Sequence, residues 1–158
     1  MTGEEAREVL AALVRENVDF VLIGSMAMAA QGVPRATHDI DFFVSPEKTN
    51  LERLKRALRA LYDDPNVDEI DTGELAGEYP AVEYVPPHGR YSIDLLTRLG
   101  EAFRYEDVAA GSEVVTYAGL SIRVATPRML YRMKKDTVRP QDHADAARIR
   151  EAFGLKDE

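Results

Sequence analysis

The chain has 158 residues, 45% apolar and 30% charged, an ordinary globular balance with material for one core. Twenty Lys and Arg against 28 Asp and Glu leave a net charge of −8, which argues against a general nucleic-acid binder. There is no cysteine, no apolar run near the ~20 residues that span a bilayer, and no secretory-signal character in the acidic opening, so the expected compartment is the cytoplasm.

Thr2 with Glu5 three positions on spells a capping box, and Ala6, Val9, Leu10, Leu13 and Val14 follow at helical spacing, predicting a first helix that ends near Asn17. Phe20–Ile23 predicts a strand that stops at Gly24-Ser25, and a short helix over Ser25–Gln31 follows. Gly32-Val33-Pro34 breaks that helix. The apolar run Ile40–Val44 predicts a second strand with Asp39 and Asp41 at its start. Alternate residues of a strand share a face, so these two carboxylates point the same way and repel unless a cation sits between them. Oxygen donors of this kind suit Mg²⁺, or the similar Mn²⁺, which completes its shell with water and substrate phosphates. Gly24-Ser25 supplies a complementary part, because glycine admits a close backbone approach and a helix start attracts phosphate. His38, beside the carboxylates, has the character of a solvated neighbour.

Ser45-Pro46 is expected to open a helix with Leu51, Leu54, Leu58 and Leu61 on its buried stripe. From Tyr62 to Arg90 there are eight carboxylates against one arginine, with Gly and Pro interspersed. Short strands and loops are expected there, with Ile70 and Ala81–Val85 as the strand pieces. Asp94 then lies inside the apolar run Tyr91–Leu96, where a carboxylate is costly unless it faces a polar cleft. Val114–Tyr117 and Leu120–Val124 predict a hairpin. Thr126-Pro127 begins a helix that ends at Lys134-Lys135-Asp136, and Arg139-Pro140 opens the last helix. Asp142 and Asp145, three apart, share a face of it. Residues 120–150 hold eight basic residues against three acids, a basic segment on an acidic protein.

Gly-Ser, thirteen residues and then Asp-Ile-Asp-Phe resembles the signature of the polymerase-beta-like nucleotidyltransferase superfamily. Arg35-x-Thr37-x-Asp39-x-Asp41, with Met133-Lys134 and Arg139-x-x-Asp142-x-x-Asp145, is similar more narrowly to the AbiEii-type enzymes, which include toxins of type IV toxin–antitoxin pairs. The resemblance covers most of the chain and leaves Tyr62–Arg90 unassigned. It implies an α/β (α+β) fold: a small mixed, mostly antiparallel twisted sheet flanked by helices, in one domain over 1–158, with the helices of 127–153 completing the site. It also implies metal-dependent transfer of NMP from an NTP to an acceptor hydroxyl. Asp39, Asp41 and Asp94 would hold the metal, Asp94 being either third ligand or base. Gly24, Ser25, Arg35 and Thr37 would lie at the nucleotide. Lys134 would bind the triphosphate, and Asp142 would orient Lys134 or serve as an auxiliary base. The implied acceptor is a tRNA 3′ end and the implied partner a cognate antitoxin. Transfer of AMP to a protein, transfer to a small molecule, and a non-catalytic nucleotide-binding or antitoxin-like module are the alternatives.

Overall fold

The structure is a computed structural model that describes residues 1–34, 36–135, 137 and 139–156. Helix α1 (Gly3–Arg15) begins at the expected box: the Thr2 hydroxyl accepts from the Glu5 N–H at 3.1 Å, and the Glu5 carboxylate accepts from the Thr2 N–H at 2.8 Å. Its face of Ala6, Val9, Leu10 and Leu13 is buried. The helix stops two residues before Asn17, whose φ of 56° is not helical. β1 (Phe20–Ile23) is buried along its whole length, which suits an interior strand covered on both faces. α2 (Gly24–Ala30) follows at once, and β2 (Asp39–Val44) then pairs antiparallel with β1.

α3 (Lys48–Tyr62) buries Leu51, Leu54 and Leu58 as expected, but it starts at Lys48, with Glu47 as its cap, and not at Ser45-Pro46. The acidic stretch differs more from expectation. It holds a 3₁₀ turn (Pro65–Glu69) and a one-turn helix, α4 (Thr72–Leu75). Asp64 and Asp71 start them, accepting from the N–H groups of Asn66 at 3.1 Å and Glu74 at 2.9 Å. Ile70 lies between the two as a buried anchor and belongs to no strand. Strand β3 (Ala81–Tyr84) falls where predicted.

β4 (Ser92–Leu96) carries Asp94 and runs on into a small hairpin, β5 (Arg98–Leu99) and β6 (Phe103–Arg104). A short helix α5 (Tyr105–Ala110) leads to the hairpin of β7 (Ser112–Tyr117) and β8 (Leu120–Ala125), then to α6 (Pro127–Lys135) and α7 (Pro140–Phe153). The Thr126 hydroxyl accepts from the Met129 N–H at 3.2 Å and starts α6. The main sheet has the order β3-β4-β2-β1-β8-β7. Three of its pairings are antiparallel; β2–β4 and β1–β8 are parallel. α6 packs on α7, β8 and α2, so the basic end of the chain lies beside the Gly24 corner. No helix among the described residues is long and apolar enough to cross a membrane.

Asn50, only 1% exposed, ties the strand ends together. Its side-chain oxygen accepts from the Asp19 N–H at 2.7 Å, and its amide donates to the carbonyls of Asp19 at 3.1 Å and Ser45 at 2.9 Å. Asn50→Ala would strip the side-chain partners from the Asp19 N–H and the buried Ser45 carbonyl, while the Asp19 carbonyl keeps the Ser45 N–H at 3.1 Å. It is expected to cost ~2–4 kcal/mol in urea unfolding, with the slope unchanged.

Candidate active site

The pleat and the register bring three carboxylates together. Asp39 and Asp41 are alternate residues of β2 and share a face. Asp41 is the register partner of Asp94 on β4, as Asp39 is of Ser92. Residues directly paired across strands point the same way, so Asp94 joins the pair, and carboxylate oxygens of all three lie within 4.8 Å of one another. Local bonds fix Asp39. The Thr37 hydroxyl donates to the Asp39 carbonyl at 3.0 Å and accepts from its N–H at 3.1 Å, while Ser92 Oγ donates to Asp39 Oδ1 at 3.3 Å.

Gly24 faces this cluster from the end of β1, where Ile23 pairs with Asp41. Its φ is +70°, in the left-handed region, and a Cβ there would overlap Asp41 Oδ2 and come 2.9 Å from Asp41 Cγ. Ser25, next along, is buried at the start of α2. Arg35 lies outside the described residues. His38 is exposed.

Crowding of like charges has a titration signature. Burial first, then the hydrogen bond and negative charge of Asp94 and the charge of Asp39, push the Asp41 carboxyl up to about 8, with Lys134 pulling the other way. Asp94 is also raised, by burial and by the Asp39 charge, against the hydrogen bond with Asp41, which favours its ionised form. The opposite signs place the proton of the Asp41–Asp94 hydrogen bond on Asp41. Three hard oxygen donors around one point, two of them too crowded to ionise together, are a fitting donor set for Mg²⁺ or Mn²⁺. A divalent ion would take the place of this proton.

Lys134, near the end of α6, is held by α7. Its Nζ lies 3.0 Å from Asp145 Oδ2 and 3.4 Å from Asp142 Oδ1, with the Lys134 side chain only 12% exposed. Thr137 Oγ1 donates to Asp142 Oδ2 at 2.9 Å, and Arg139 approaches the same oxygen at 3.8 Å. Sequence reasoning offered Asp142 as the residue that orients Lys134 or as an auxiliary base; Asp142 does reach Lys134, and the shorter, fully buried contact is made by Asp145, one turn further on the same face. Ser92 and Thr137 were missed. A hydroxyl beside a strand carboxylate leaves no periodic trace, and only the assembled register reveals it.

A family model described as "Nucleotidyl transferase AbiEii toxin, Type IV TA system" matches residues 8–153. The chain belongs to this AbiEii nucleotidyltransferase family. It is a nucleotidyltransferase, as its sequence motifs implied. No curated protein matches it in sequence. Among solved structures, TM1012 of Thermotoga maritima, described as a candidate nucleotidyltransferase, aligns with a TM-score of 0.55 at 18% identity, covering 96% of this chain and 88% of its own. ANT(2″)-Ia in complex with adenylyl-2″-tobramycin aligns with a TM-score of 0.60 at 16% identity, over 96% and 89% of the two chains. At these identities the likeness is one of fold, and the mixed, mostly antiparallel sheet flanked by helices is the architecture they share.

Two outcomes test the AbiEii site. Gly24→Ala adds both a strained φ and an overlap with Asp41, and is expected to cost ~2–4 kcal/mol in thermal or urea unfolding. The raised Asp41 means that between the ordinary carboxyl value of 3.8 and about 8 the folded state binds more protons than the unfolded one. Stability of the metal-free protein therefore falls as pH rises through that window. Urea midpoints from about pH 5 to about pH 8 should show this decline, which Asp41→Asn flattens and millimolar Mg²⁺ offsets at the alkaline end.

Proposed function

We propose that this nucleotidyltransferase acts on the 3′ end of a tRNA, in one domain over 1–158, with a divalent cation, Mg²⁺ or Mn²⁺, held by Asp39, Asp41 and Asp94. The observation that carries the metal reading is the meeting of the three carboxylates within 4.8 Å on adjacent strands. When bound, such a cation neutralises triphosphate charge and polarises the phosphoryl group. Gly24, Ser25 and Arg35 serve the triphosphate side. Thr37 holds the main chain of Asp39 and so aims its carboxylate. Lys134 stabilises the charge that builds on the phosphates, and Asp142 and Asp145 keep its ammonium in place. The helices of 127–153 complete the site in this way.

The acceptor O–H attacks the α-phosphorus, the bond from that phosphorus to the bridging oxygen breaks, and pyrophosphate leaves with the electron pair. Asp94, with one carboxylate oxygen to the cation, takes the hydroxyl proton on the other. The family's membership in type IV pairs supports a toxin role with a cognate antitoxin, and the cytoplasm as the site of action. The chemistry of ANT(2″)-Ia, whose product complex is an adenylylated aminoglycoside, makes a small-molecule acceptor the arm to compare.

The deciding experiment supplies each of four α-labelled NTPs with Mg²⁺ and, separately, total tRNA, lysate protein or tobramycin. Label is expected in tRNA. Label in protein or tobramycin overturns the acceptor, and label in none of them overturns the proposal entirely. Asp41→Asn and Lys134→Ala are expected to slow transfer at least ~100-fold. Asp94→Asn should cost ~10²–10⁴-fold in the chemical step and remove a limb of the pH–rate profile.

A further inference from the structure

The hairpin β5–β6 prolongs β4, the Asp94 strand, and faces α6 across a groove of about 560 Å³ that the chemistry above does not use. Leu99 and Phe103 form one wall; Arg132, Met133, Lys135 and Thr137 form the other. The Arg132 guanidinium lies 5.8 Å from the centre of the Phe103 ring, and Lys135 Nζ lies 5.7 Å from that of Tyr131. No carboxylate is among the described residues of the groove; Glu101, at the hairpin turn, lines a neighbouring cleft. Thr137 joins the groove to the site, since its hydroxyl donates to the Asp142 carboxylate that holds Lys134.

The hairpin itself carries an unsolved charge problem. Arg98 and Arg104 are direct cross-strand partners and both are exposed. Like charges placed opposite each other destabilise a strand pair, and two residues per strand leave little to oppose that. Both arginines line clefts of about 410 and 210 Å³ beside the groove, shared with Glu101 and Glu106. A polyanion passing over the hairpin would relieve the repulsion.

We propose that this groove seats the unpaired 3′-terminal nucleotides of an RNA acceptor, with a base against Phe103 and Arg132 and phosphates along Lys135, Arg98 and Arg104. Aromatic faces interleaved with cations are how proteins hold single strands, because every base has a face to stack and every nucleotide a charge. The described residues of the groove offer cations and an aromatic face, the complement of a polyanion with bases to stack. Strand order agrees with an acceptor there: β1, with Gly24 and Ser25 at its end, flanks β2 on one side, and β4 with Asp94 flanks it on the other. The nucleotide and the acceptor hydroxyl thus approach the carboxylates from opposite sides. The assignment rests on the acceptor being RNA.

The test is fluorescence anisotropy with a short 5′-fluorescein single-stranded RNA bearing a free 3′ hydroxyl, alongside binding of a labelled NTP. Three proteins are compared: wild type, the double variant Arg132→Glu with Lys135→Glu, and Phe103→Leu, which keeps apolar packing but loses the ring. Melting curves check that each is folded. The double variant is expected to bind RNA at least roughly tenfold more weakly, with a shallower salt dependence, and Phe103→Leu about fivefold more weakly. NTP affinity stays the same. RNA affinity unchanged in both variants overturns the proposal, as does a parallel loss of NTP affinity, which would make the groove a nucleotide site. The two readings fail separately. If wild type labels RNA and the variants bind it unchanged, only the groove assignment falls; if wild type labels protein or a small molecule and binds no RNA, the RNA acceptor falls and the groove with it.

Discussion

Asp41 and Asp94 are paired in register across a parallel strand boundary, with Asp39 one pleat away on the same face. A sheet that sets three carboxylates this close has to compensate the repulsion, and the surroundings are arranged accordingly. The hydrogen bond between Asp41 and Asp94 does part of it, raising Asp41 and lowering Asp94, while burial raises both. The charge of Lys134 does another part. Gly24 contributes by omission, since the volume a side chain would fill there is occupied by the Asp41 carboxylate. The cost of this crowding is carried by an otherwise apolar sheet, in which Ile40, Phe42, Ile93 and Leu95, on the opposite face of β2 and β4, are buried to 1% exposure or less.

The second charge problem is Lys134. An ammonium on a side chain only 12% exposed is costly to bury without opposite charge beside it. Asp145 and Asp142 compensate it from one face of α7, and the i, i+3 spacing is what lets both reach the same ammonium. The arrangement leaves a surplus of negative charge on the helix side, as the three carboxylates do on the strand side. Lys134 is thus the cation between two anionic groups, paired directly with the helix carboxylates and acting on Asp41 through its charge.

Much of this was legible in the residues, for a physical reason in each case. Strand alternation put Asp39 and Asp41 on one face before any coordinates, and an isolated carboxylate in the apolar run at Asp94 implied a polar cleft. The spacing of Asp142 and Asp145 likewise survives folding because helix geometry is local. What could not be read is what depends on register. No sequence pattern says that Asp94 faces Asp41, that Ser92 reaches Asp39, or that Asp145 outranks Asp142 as partner of Lys134. Nor does any pattern say that a Cβ at Gly24 would overlap the Asp41 carboxylate. The stretch from Tyr62 to Arg90 misled because its turns are started by Asp64 and Asp71, and their capping signal is hidden among many other acids. β5 and β6, at two residues each, are too short to show any periodicity.

The order of the strands bears on how the molecule is made. β8, the last strand in sequence, is interior: it sits between β1 and β7, parallel to β1 across about a hundred residues of intervening chain. Contacts of such long sequence separation form late, after the loop entropy of the whole stretch has been met. The β1–β2 pairing, by contrast, is local in sequence and closes a much shorter loop. Until β8 has paired with β1, α6 and its Lys134 are not beside the Asp41 strand, so the candidate site is assembled only when this long-range pairing forms.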